Sequence, residues 1–176
     1  MKGLFLILGI TIACCSLAFG QRIAKPPQPF IDRGACPFEC CTYRDWDVTA
    51  PTAVRKDMND RSPIAFRLRK GERVVGVTGV VVTTSPGIAT VLRSEKLGKV
   101  DLKRGDTVYL LTYLGEGFNK IWHKGRIVEA ETYDESKLRV NRQPKAVWWV
   151  KVKNRRGQIG WSRQPDHFGN KDQCGN

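Results

Sequence analysis

Trp148-Trp149-Val150-Lys151-Val152-Lys153-Asn154-Arg155-Arg156-Gly157-Gln158-Ile159-Gly160-Trp161 decides the fold class of this chain. Successive side chains of a strand point to opposite faces, so Trp148, Val150 and Val152 share one face and Trp149, Lys151 and Lys153 the other. Arg155-Arg156-Gly157 is a turn, and Gln158 to Trp161 is the returning strand. The valines belong to the core. Trp148 therefore reads as structural, and Trp149 as an outward indole beside two ammonium groups.

Outward from this hairpin the same punctuation repeats. Ile64 to Arg69 alternates cleanly, Arg73 to Thr84 is rich in Val and Thr, and Ser85-Pro86-Gly87 turns the chain into Ile88 to Leu92. Thr107 to Tyr113 is a strand broken by Gly115-Glu116-Gly117, and Lys120 to Glu129 is another candidate. Residues 132–143 are polar and read as a long loop. From Tyr43 onward no segment sustains a 3.6-residue apolar spacing, so the chain is all-β. A repeat lies inside it: Leu68-Arg69-Lys70-Gly71-Glu72-Arg73-Val74 returns as Leu102-Lys103-Arg104-Gly105-Asp106-Thr107-Val108. Each copy has a leucine to bury, a basic pair, a glycine for the turn, an acid and then a strand.

The ends are different in kind. Met1-Lys2, the apolar run Leu4 to Ala13 and the small residues Ala18 and Gly20 read as a signal peptide over residues 1–20, cleaved after Gly20. Lipidation at Cys14 is the less favoured reading. No apolar run beyond residue 20 is long enough to span a bilayer, so secreted or periplasmic placement is expected. Residues 21–42, with Pro26, Pro27 and Pro29, read as an extended leader without a regular ladder. The cysteines beyond the signal, Cys36, Cys40, Cys41 and Cys174, are even in number and read as two disulfides. Adjacent Cys40 and Cys41 are the least suited to pair. The other pairings stay open, and each ties Cys174 back to the 36–41 cluster. A four-thiolate zinc site lacks its second knuckle. No metal or cofactor is expected.

The front motif Leu102-Lys103-Arg104-Gly105-Asp106-Thr107-Val108, joined to Trp148–Lys153 and Gly157–Trp161, resembles the bacterial SH3 family found on exported proteins. The resemblance covers roughly residues 100–164. It implies two small SH3-like β-barrels packed together, a first unit over residues 43–99 and a second over residues 100–176. The stretch between Tyr113 and Trp148 is longer than the family's usual connection. The resemblance further implies a shallow aromatic groove at Trp149 and Trp161, with charge from Lys151 and Lys153 and with Tyr113 and Trp122 as weaker candidates. Cell-wall peptide, glycan or a protein segment would be the ligand.

Thirty Lys+Arg against 17 Asp+Glu give a net charge of +13, which favours anionic surroundings and keeps a polyanion-binding protein as the alternative. A structural or inhibitory partner of another secreted protein is a third reading. Catalysis finds little support. His123 and His167 have no motif neighbours, and disulfides would consume the thiols. A non-enzymatic binding protein is the expectation.

Overall fold

The structure, a computed structural model, describes residues 25–174; the expected signal peptide and Cys14 lie outside the described residues. Its strands are β1 Phe30–Arg33, β2 Asp45–Val48, β3 Thr52–Arg55, β4 Ile64–Leu68, β5 Arg73–Ser85, β6 Ile88–Val91, β7 Glu95–Leu97, β8 Val100–Leu102, β9 Thr107–Gly115, β10 Phe118–His123, β11 Arg126–Glu131, β12 Leu138–Arg142, β13 Lys145–Asn154, β14 Ile159–Ser162 and β15 Phe168–Gly169. A 3₁₀ turn, Pro165–His167, precedes β15. The all-β expectation holds.

One sheet has the order β15-β2-β5-β13-β14-β3-β4, with β1 also paired to β5. A second has the order β11-β10-β9-β6-β12, and β7-β8 form a separate hairpin that touches β11. Read outward from β12, the second sheet repeats the first: β12-β6-β9-β10-β11 follows the sequence of roles β15-β2-β5-β13-β14. The repeat detected in the sequence is the seed of this likeness, because it builds the same turn twice. Gly71 and Gly105 sit at φ +88° and +90°, a region where a Cβ is costly. The N–H of Gly71 donates to the Val48 carbonyl and that of Gly105 to the Val91 carbonyl, each at 2.8 Å. The Glu72 carboxylate accepts the Arg69 N–H at 3.1 Å, and the Asp106 carboxylate accepts the Lys103 N–H at 3.0 Å. Leu68 and Leu102 are buried beneath the two turns.

The two units are nested, not consecutive. Strands β6–β12 leave between β5 and β13, and β13 runs antiparallel along β5 from Ser85↔Lys145 to Val74↔Asn154. The boundary expected at 99/100 does not divide the sheets. Trp148–Trp161 joins the first unit, β2–β5 with β13–β15, and not the unit that carries Leu102–Val108. Local pattern finds strands, but it does not say which strand pairs with which. Three segments also differ from expectation. The proline-rich leader contributes β1, which starts after Pro29 and pairs Phe30↔Thr83 through Arg33↔Val80. The expected loop at 132–143 contains β12, paired to β6 from Leu138↔Val91; its exposed basic residues hide a strand whose one buried side chain is Leu138. The expected strand at 120–129 is a hairpin, turned at Lys124 and Gly125, both at positive φ.

Each unit has its own core. Trp46, Val54, Phe66, Val74, Val150, Val152 and Phe168 fill the first, and Val91, Leu102, Val108, Leu110, Ile121 and Leu138 the second. Phe30, Leu111 and Trp122 form a seam between them. There the Thr83 hydroxyl donates to the Leu111 carbonyl at 2.9 Å, and Lys120 pairs with the buried Asp32 at 2.9 Å. Disulfide Cys36–Cys41 closes a short loop within the leader, and Cys40–Cys174 joins the leader to the tail.

Candidate functional site

Strand alternation in β13 sends Val150 and Val152 into the first core and packs the partly buried Trp148 against it, on the face their spacing predicts. Trp148 lies edge-on to Phe38 at 5.9 Å, with the Lys171 ammonium 5.8 Å from its ring. The opposite face carries Trp149, Lys151 and Lys153. Lys151 stands beside Thr78 of β5 and Trp161 of β14, and Trp161 in turn faces Arg55 of β3. The Lys151 ammonium sits 5.4 Å from the Trp161 ring centroid, within cation–π range.

Trp149 and Trp161 meet in one depression of about 410 Å³, together with Ala53, Arg55, Asp60, Arg163 and Gln164. An ion pair between Arg163 and Asp60 forms part of its rim. The 56–63 loop that carries Asp60 is held by Ser62, whose hydroxyl donates to Asp57 at 2.9 Å while its carbonyl accepts Arg55 at 2.8 Å. Trp149 itself is only 7% exposed. The fully outward indole expected from alternation is corrected: Trp149 is buried and forms a wall of the depression beside residues of β3, β14 and the 56–63 loop, while the half-buried Trp161 offers the ring. The depression thus offers aromatic surface and both signs of charge.

The other candidates stand elsewhere. Lys153 lines a smaller hollow with Asp45, Arg73 and Val75. Tyr113 is on β9 of the second sheet, 6.3 Å from Tyr133. Trp122 is buried in the seam against Phe30 and Leu111. Neither lines the indole depression. A cleft of about 650 Å³ that sequence reading missed lies between the β4–β5 turn and the β13–β14 turn, lined by Arg67, Arg69, Arg73, Arg155 and Arg156. Its local signals were the basic Arg155-Arg156 pair, readable as part of a cationic cluster with Lys151 and Lys153, and the equal parity of Arg67 and Arg69.

The imidazoles have structural partners. Buried His123 meets Asp106 at 3.0 Å. Burial alone would push the Asp106 carboxyl up. The Lys103 N–H, the hydrogen bond and charge of Lys124 and the His123 charge outweigh it and hold the group below the usual carboxylate range. His167 Nδ1 lies 2.9 Å from the Thr52 hydroxyl and 3.1 Å from the Pro51 carbonyl. Tyr43, hydrogen-bonded to the Ala35 carbonyl, is pushed up to about 12 by burial, against the opposing effect of Trp148. Glu39 is raised chiefly by the charge of Glu116. Glu39, Cys40 and Cys174 cluster, but both sulfurs are committed to the disulfide, which removes their lone thiolates from metal chemistry. Comparison with protein-family models, curated proteins and solved structures finds no match to this chain.

Proposed function

We propose that this chain is a non-enzymatic, exported binding protein whose first unit is an SH3-like module. Its ligand is an extended segment of cell-wall peptide, with its glycan, or of another protein. The observation that carries the reading is the depression shared by Trp149 and Trp161, where β3, β13, β14 and the 56–63 loop gather indole surface and the Asp60–Arg163 pair, with the Lys151 ammonium against the Trp161 ring. The 3₁₀ turn before a last strand that returns to pair with β2 supports the SH3-like assignment, which is an argument from architecture. The partnered imidazoles and the disulfide-bonded cysteines support a role without catalysis.

In recognition, the Trp161 face supplies apolar contact and the Asp60 and Arg163 groups orient backbone or amine and carboxylate groups. A shallow, partly charged site of this size suits modest affinity and easy exchange. Co-sedimentation with purified cell-wall sacculi tests the reading. Full-length protein is expected to pellet with them, and Trp161→Ala, at a half-exposed position, to lower the bound fraction about tenfold. No sedimentation, or sedimentation indifferent to Trp161→Ala, removes the indole depression as the ligand site.

A further inference from the structure

The arginine cleft shares no lining residue with the indole depression. Two turns build it. In the first, the Glu72 carboxylate holds the Arg69 N–H at 3.1 Å and the Glu72 N–H reaches the Arg69 carbonyl at 3.2 Å. In the second, the Asn154 side chain accepts the N–H groups of Arg156 and Gln158, each at 3.0 Å, and donates to the Gln158 side chain at 2.8 Å. The arginine stems therefore rise from ordered backbone, which reduces what a ligand must order on binding.

Five guanidinium groups face one carboxylate in this cleft, and that carboxylate already serves its own turn. Arg73 is paired with Asp47 at 3.1 Å. Among the described residues no carboxylate pairs with Arg67, Arg69, Arg155 or Arg156, and all four are exposed. Gathered guanidinium forks match the oxygens of sulfate and phosphate, to which they bond in bidentate fashion. Sites for single-stranded nucleic acid add exposed aromatic rings on which bases stack. The aromatic residue of this cleft, Phe66, is 9% exposed and belongs to the core. Two disulfides suit an oxidising compartment, where such esters are carried by cell-surface polymers.

We infer that the cleft between the β4–β5 and β13–β14 turns binds a sulfated or phosphorylated glycan strand. This is a second site, independent of the indole depression. The test is titration of the full chain with a heparin-derived hexasaccharide over a salt series, beside its desulfated counterpart. Binding is expected to weaken about a hundredfold between 50 and 200 mM salt, as release of about four counterions requires. Arg155→Gln with Arg156→Gln, and separately Arg67→Gln with Arg69→Gln, should each lower affinity about tenfold and flatten the salt slope by about two. The charge-matched pair Lys96→Gln with Lys103→Gln, and Trp161→Ala, should stay within about twofold. An equal loss in the lysine control would make net charge the whole cause. Equal binding of the desulfated sugar, or tighter binding of a single-stranded oligonucleotide of the same charge, would also overturn the proposal.

Discussion

Gly79 marks the tightest packing in the first unit. A Cβ there would stand 2.1 Å from the Tyr43 hydroxyl and 2.3 Å from the Trp148 indole nitrogen, with the Ala35 carbonyl at 2.7 Å. None of these can withdraw, since Tyr43 holds Ala35 and Trp148 is wedged between Phe38 and Lys171. Gly79→Ala is expected to cost about 3 kcal/mol, read from chemical denaturation. Tyr43 gives a second expectation at this scale. Its folded pKa is raised above the model-peptide value of about 10, because the neutral phenol is favoured in the folded state. Its contribution to stability is full below pH 10 and is lost as pH rises through about 12. Absorbance titration should therefore show a tyrosine ionising near 12, and Tyr43→Phe should remove that step. The inward set of β13 was legible from spacing alone. The burial of Trp149, 7% exposed, was not, because the spacing within β13 says nothing of what distant segments bring to its outer face.

The glycine turn that appears twice is the element on which the architecture rests. Gly71 and Gly105 share nearly the same φ, and in both a Cβ would meet open space. Alanine at either position therefore tests backbone conformation with no packing contribution. Gly71→Ala and Gly105→Ala should each cost about 1 kcal/mol, and unequal losses in thermal unfolding would break the equivalence of the turns. The acids differ in setting. Glu72 is exposed, while Asp106 also receives Lys124 at 3.1 Å and His123. The lowered Asp106 pKa means its stabilisation is complete above pH 3.8 and is lost as pH falls through the depressed folded value. Asp106→Asn should cost about 2 kcal/mol at neutral pH and weaken the acid dependence of unfolding. Sequence repetition exposed these turns because a positive φ and a capping carboxylate are local demands. β12 and β1 escaped notice because each borrows its identity from a distant partner, β6 and β5.

Nesting governs the whole molecule. The indole depression, the Lys153 hollow and the arginine cleft are all built from strands and turns of the first unit, which the insertion of β6–β12 interrupts without separating β5 from β13. The Cys40–Cys174 bridge, with a sequence separation of 134, ties the leader to the tail beyond β15. On the chain-entropy account a closure of that length contributes about 4–5 kcal/mol. The hairpin and the repeat were readable in advance, while the order of units was not, since nesting depends on the long-range pairing Ser85↔Lys145.

That pairing also supplies the most direct test. Ser85 and Lys145 lie opposite each other, so replacing residues 86–144 with an Asn-Gly turn should close β5 and β13 as a simple hairpin. Proton–nitrogen correlation spectra of the shortened protein should keep dispersed signals for β2–β5 and β13–β15, losing only those of the second unit and the Phe30 seam. A collapsed, undispersed spectrum would contradict the account that the first unit is a complete fold with another set inside it.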